Sequence, residues 1–172
     1  MTEFGDVDIE RRVDEDLKKT GRAYELVDCD PDLADTAAFC DAYGYSPEDS
    51  ANTILVVGKS EPPRYVACIV LATTRLDVNH AVRDRLGVRK ASFADRDQTL
   101  SITGMAIGGV TPFGLPAEIP LWVDRRVMDR PKVVLGGGSR RRKVVAAPEI
   151  LTARPGAEVV EALAAEPPPR DS

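Results

Sequence analysis

The chain has one histidine, His80, in 172 residues, and that scarcity removes much of the usual hydrolytic chemistry. A catalytic zinc site needs three protein ligands, and His80 has no cysteine near it in sequence. A Ser-His-Asp or Cys-His arrangement would also have to use His80. That residue falls inside a predicted helix, between Asn79 and Ala81, and reads as a partly exposed helical side chain rather than a catalytic base. Cysteine is scarce as well: Cys29, Cys40 and Cys68 are odd in number and widely spaced, fitting neither a disulfide framework nor a zinc motif, and a reducing compartment is expected. Long apolar runs are missing. The longest, residues 66–72, is far too short to span a bilayer. The opening MTEFGDVDIE is acidic where a secretory signal is basic and then apolar, so a cytoplasmic location is the expectation. There is no Walker loop or dinucleotide fingerprint, because Gly136-Gly137-Gly138 runs into arginines and a strand pattern instead of a helix.

What is present suits one globular domain: 43% hydrophobic and 30% charged residues in 18.6 kDa, enough to bury a core. Charge is unevenly placed. Residues 1–50 hold 15 acids against 5 bases, whereas residues 51–172 hold 13 acids against 18 bases. An acidic protein is a poor general binder of nucleic acid, since affinity there comes mostly from neutralised phosphates. Local basic faces remain open as phosphate contacts or as solvated surface. They are Arg83, Arg85, Arg89 and Lys90; Arg125, Arg126, Arg130 and Lys132; and Arg140, Arg141 and Arg142 with Lys143, the best placed of the three, at a predicted hairpin tip.

In chain order, Ile9, Val13 and Leu17 fall at i, i+4 and i+8 and predict a short amphipathic helix in an otherwise charged N-terminal extension, residues 1–20. The main domain is expected over residues 21–163. It opens with a strand at 23–29 and a helix capped by Asp32 or Asp35 and stopped near Gly44. Ser46-Pro47 starts a second short helix. Residues 53–57 and 65–72 read as a hairpin at the edge of a sheet. Asp77 caps a helix ending at Gly87, residues 88–91 form a brief strand, and Ser92 with Asp95 reads as a capping box. Strands at 119–123, 133–135 and 144–146 follow, and Pro148 starts a last helical turn. The Pro-rich tail, residues 164–172, is expected to fray.

The most unusual stretch is SITGMAIGGVTPFGLP, residues 101–116. Gly108 and Gly109 permit strained dihedrals and close approach to the main chain, and Pro112 stiffens the far end while pushing Thr111 extended. Such a loop presents backbone N–H groups, as an oxyanion or phosphate requires, or else it is a tight connector between helix and strand. In the first case Gly109→Val should abolish activity by filling the substrate's space and leave the fold largely intact.

The run TGMAIGGVTPFGLP, then IPLWVD, then VVLGGGSRRRKVVAAPEIL, resembles the YbaK family of aminoacyl-tRNA editing domains, related to the insertion domain of bacterial prolyl-tRNA synthetase, over residues 30–151. The resemblance implies a mixed α/β (α+β) fold with a largely closed mixed β-sheet or barrel surrounded by helices. It implies a free-standing trans-editing deacylase that hydrolyses the ester of a mischarged tRNA carrying a small amino acid, without metal or cofactor and with help from the neighbouring ribose hydroxyl. The catalytic duty falls on the backbone of Gly108, Gly109, Val110, Thr111 and Pro112. Gly137 and Gly138 lie on a second loop near the pocket, Lys90 occupies a family lysine position facing the RNA, and Arg140, Arg141 and Arg142 are candidate RNA contacts. Implied partners are the terminal adenosine of an aminoacyl-tRNA and an aminoacyl-tRNA synthetase, with neither DNA nor membrane. One departure matters: where the family opens a strand with lysine, this chain has Asn52, which keeps hydrogen bonding but drops the charge. That substitution keeps a second reading open, a module that binds an aminoacyl-adenosine end, a nucleotide or a partner protein without turnover.

Overall fold

The computed structural model describes residues 3–166. Helix α1 (Glu3–Lys19) leads into strand β1 (Tyr24–Asp28), then α2 (Thr36–Tyr43) and the long pair β2 (Ala51–Gly58) and β3 (Arg64–Leu71). Next come β4 (Arg75–Leu76), a π-helical turn (Val78–Val82) running into α3 (Arg83–Leu86), β5 (Ala91–Phe93) and α4 (Arg96–Thr103). After the glycine-rich stretch follow β6 (Leu121–Asp124), α5 (Arg125–Met128), β7 (Val133–Gly136), β8 (Arg142–Ala146), α6 (Glu149–Thr152), β9 (Ala157–Val160) and β10 (Ala164–Ala165).

The strands make a five-stranded mixed sheet in the order β5-β2-β3-β6-β9, an antiparallel three-stranded sheet β1-β8-β7, and the small pair β10-β4. Among the described residues a single isolated parallel bridge, Ser50 to Val134, joins the two larger sheets. The fold is the expected mixed α/β arrangement of sheets and helices; among the described residues the ladders do not close into one continuous barrel. Strand β3 explains why the β2–β3 hairpin lies at the centre of its sheet and not at its edge. Ala67, Ile69 and Leu71 enter one core and Val66, Cys68 and Val70 the other, so both faces of the strand are apolar and need cover. Burial pushes the Cys68 thiol up to about 12.

Helix α1 is built into this core. Ile9, Val13 and Leu17 pack with Leu55, Phe113, Leu121 and Leu135, so the acidic segment is a wall of the main core. Its polar face reaches the glycine-rich stretch: Arg12 donates to the carbonyls of Thr103 (2.8 Å) and Gly114 (2.9 Å), and Asp16 accepts from the Gly114 N–H.

Local signals held in most places. Gly44 and Gly87 end their helices in the left-handed region, and Ser46 caps its turn. The capping box, however, belongs to Asp95 with Gln98, three residues later than expected, because the chain from 91 to 93 is drawn into a ladder with β2. Nor does residue 164 begin a loose tail. Ala164 and Ala165 pair with Leu76 and Arg75, and the buried Asp124 carboxylate accepts from the N–H groups of Leu163 and Ala164. The rest of that predicted tail, residues 167–172, lies outside the described residues. No described helix is long and apolar enough to cross a membrane.

Candidate active site

Strand β2 pairs with β3 along its full length, but on its other side only Val56 to Gly58 meet β5. The Ala94 N–H just past β5 also bonds Leu55 O (2.9 Å), and between there and the bridge at Ser50 residues 51–54 keep an edge without a strand partner among the described residues. A cavity of about 280 Å³ lies against this edge. Its walls are β2, the start of α2 with Asp35 and Thr36, the loop residues Ile107, Gly108 and Val110, and Lys143 from β8.

The loop is held peptide by peptide. Ile107 O accepts from Arg140 (2.6 Å), Gly108 O from the Lys143 ammonium (2.8 Å), and Gly109 O from the Gly138 N–H (2.8 Å). The Gly109 N–H is consumed by Ala106 O. The N–H groups of Gly108 and Val110, both on the cavity wall, donate to no acceptor among the described residues. Gly108 sits at φ +96°, a conformation open to glycine, and the Arg140 guanidinium occupies the place its Cβ would take.

Asn52 lies on the cavity, where its side-chain oxygen accepts from the Thr36 hydroxyl (2.8 Å) and its amide nitrogen has no partner among the described residues. Among the described residues the one cation lining the cavity is Lys143, which donates to Ala34 O (2.6 Å) and Gly108 O and whose pKa burial pushes down from its ordinary value of 10.5. The sequence carried a sign of it. Extending the predicted strand 144–146 back by two residues makes one of Arg142 and Lys143 face inward by strand alternation.

The structure therefore brings together Gly108, Val110 and Asn52 and adds Lys143. Gly109, Thr111 and Pro112 stand behind the wall, as do Gly137 and Gly138. A Cβ on Gly109 would meet the backbone of Ser139 at 2.7 Å, and one on Gly138 would meet Val13 at 2.7 Å. Gly109 lets its loop pack on the main chain of the next, and Gly138 leaves room for the Val13 and Ile9 side chains of α1, so the expectation that Gly109→Val spares the fold is corrected: valine there collides with main chain. Lys90 is elsewhere, exposed beside Lys59, Arg83 and Arg89 on a groove past the far end of β2.

The three arginines do stand at the tip of the β7–β8 hairpin, Arg140 and Arg141 in its turn and Arg142 opening β8, but their side chains are engaged by the fold. Arg141 pairs with Glu10 (2.5 and 3.1 Å). Arg142 is buried between the Gly137 carbonyl and Asp14 of α1 (2.8 and 2.9 Å). Arg140 grips Ile107 O, Asp35 and Pro31 O. Burial pushes the Glu10 carboxyl up, yet hydrogen bonds from Arg141 and Ser139 and the charges of Arg142 and Arg141 hold it below 4.5 overall. His80 is exposed and bound to Asp77. Among the described residues no three His, Cys, Asp or Glu side chains converge.

Comparison with known proteins agrees with this architecture. The hypothetical protein APE2540 superposes with a TM-score of 0.78 at 27% identity, covering 87% of this chain and 97% of that one. A protein described as a candidate trans-editing enzyme for prolyl tRNA synthetase superposes with a TM-score of 0.76, also at 27% identity, over 92% of this chain and 97% of that one. The model of the aminoacyl-tRNA editing domain matches residues 30–153, which include every residue walling the cavity. A chain with this match, this sheet order and a glycine loop facing an open strand edge belongs to the aminoacyl-tRNA editing domain family.

Proposed function

We propose that the protein is a free-standing deacylase that hydrolyses the ester of a mischarged tRNA carrying a small amino acid. The observation that carries this reading is that Gly108 and Val110 both line the cavity while their N–H groups meet no acceptor among the described residues. Water adds to the ester carbonyl carbon, the carbonyl oxygen becomes an oxyanion held by the two donors, and the bond to the ribose oxygen breaks. The water's proton passes to the ribose oxygen by way of the vicinal hydroxyl, leaving free amino acid and intact tRNA. The ester is already reactive, so positioning and oxyanion donors are what the protein must add, each donor being worth about 3 kcal/mol in other hydrolases. No metal enters this reading.

Several features support the finer assignments. A cavity of about 280 Å³ is at the lower limit of ordinary ligand sites. After a ribose and part of a base are admitted, little room is left for the amino acid, which favours a small one. Asn52 and the Lys143 ammonium offer a neutral amide and a cation to the terminal nucleotide. The groove with Lys59, Arg83, Arg89 and Lys90 lies along β2 from the cavity and suits phosphates of the acceptor stem.

The reading is tested by incubating purified protein with a panel of aminoacyl-tRNAs, led by the tRNA of prolyl-tRNA synthetase charged with small noncognate amino acids, since a similar protein is described as acting for that synthetase. Release of amino acid above the spontaneous rate from a subset of the panel is expected. Binding without release supports the alternative, a module that recognises the aminoacyl end without turnover.

A further inference from the structure

We infer that Arg140 is a positioning residue for catalysis: it turns the Ile107–Gly108 peptide so that the Gly108 N–H faces the cavity. The inference rests on the deacylase reading for its kinetic consequence, but its geometric content is independent.

In a trans peptide the C=O and the following N–H point in opposite directions. Whatever fixes the carbonyl of residue 107 therefore aims the N–H of residue 108. Arg140 Nη1 is 2.6 Å from Ile107 O; Ile107, Gly108 and Asp35 line the cavity, but Arg140 itself does not, and its other two donating nitrogens, Nε and Nη2, run to Pro31 O, which does not line it either. The carbonyl is thus drawn outward and the N–H inward. The same logic holds two peptides along, where Gly138, also off the cavity, takes Gly109 O at 2.8 Å and directs the Val110 N–H to the opposite side. The two anchors leave two donors on one wall.

Arg140 is fixed well enough for this role. Its Nε and Nη2 both donate to Pro31 O (3.1 and 2.8 Å), and Nη1 also reaches Asp35 (3.1 Å) at the N-cap of α2. These bonds, with that to Ile107 O, occupy nearly every N–H the guanidinium has. Little is left for a bidentate phosphate contact, which is the role its place in a run of arginines would otherwise imply. Gly108 completes the arrangement, since any side chain there would displace the guanidinium. Without the anchor, a peptide flanked by a glycine is free to turn its carbonyl into the cavity, where it would repel the oxyanion.

The experiment compares wild type, Arg140→Ala and Arg140→Lys in deacylation kinetics and in ¹⁵N–¹H spectra. Arg140→Ala is expected to lower kcat between roughly tenfold and a hundredfold while leaving KM and the salt dependence of tRNA binding unchanged, since loss of a whole oxyanion donor costs about a hundredfold or more. Lysine, which keeps one donor for Ile107 O, should recover part of the rate. In the spectra the Gly108 amide peak should move and the Val110 peak stay. Weaker binding and a flatter salt slope with kcat intact would instead assign Arg140 to the RNA backbone and overturn the inference. So would an unmoved Gly108 peak. If wild type releases no amino acid from any substrate, the deacylase reading fails on its own, and the Gly108 peak still decides the orientation.

Discussion

Gly109→Ala tests how the loop is held. The added Cβ would lie 2.7 Å from the carbonyl carbon and oxygen of Ser139 and 3.0 Å from its Cα. All three are main-chain atoms, so no rotamer can relieve the contact and the two loops must part. Overpacking of this kind costs about 1–3 kcal/mol. The Gly138 N–H to Gly109 O bond stretches with the loops, and a lost hydrogen bond adds about 0.5–1.5 kcal/mol. The sum, ~1.5–4.5 kcal/mol, leaves a domain of ordinary stability folded at 25 °C and lowers Tm by roughly 3–18 °C for a chain of this length. Activity should fall further than stability, because the displaced Gly109 carbonyl no longer aims the Val110 N–H. Thermal melts and single-turnover deacylation at a temperature where the variant is folded measure both. A variant that melts within about 2 °C of wild type and releases amino acid normally would refute the claim that backbone packing against Ser139 sets the loop.

Glu10→Gln removes the carboxylate that Arg141 and Ser139 hold below 4.5. A lowered folded-state pKa means stability that is present above the unfolded value and lost as pH falls through the folded one, so the variant should be less stable than wild type by about 1.5–3 kcal/mol at neutral pH, converging with it in acid, by urea melts at each pH. Lys143→Met leaves the carbonyls of Ala34 and Gly108 without their donor and should slow deacylation. Because burial lowers the Lys143 pKa in the folded state, the unfolded chain binds more protons as pH climbs toward 10.5; wild type should gain stability over that interval, and the methionine variant should lack that increment in the same melts.

Local rules made much of the chain legible. Glycines past helix ends, Ser46 before Pro47, and the β-branched runs of β2 and β3 act over a few residues, and the glycine-rich stretch announced itself by composition. Long-range pairing was harder to read. Arg140, Arg141 and Arg142 look like a solvated basic tip until Glu10 and Asp14 of α1 are seen against them. The acidic beginning and the basic second half of the sequence were visible as separate charge excesses; that they meet here depends on α1 docking by Ile9, Val13 and Leu17. Lys143 was counted with that basic tip and not as a pocket residue for a related reason: strand alternation hints at an inward side chain, but the two carbonyls from distant loops that surround its ammonium appear only in the fold. Asn52 was the reverse case, a residue singled out through resemblance that does reach the cavity, with Thr36 as its partner.

The central claim is that the Gly108 and Val110 N–H groups stabilise the oxyanion. It is tested most directly by replacing Val110 with its α-hydroxy analogue, which exchanges the N–H for an oxygen and keeps the side chain. The same exchange at Gly109, whose N–H is already bound to Ala106 O, is the control. The account predicts that the Val110 ester lowers kcat by about a hundredfold to a thousandfold with KM nearly unchanged, and that the Gly109 ester has a much smaller effect. A Val110 ester that turns over mischarged tRNA at the wild-type rate would contradict it.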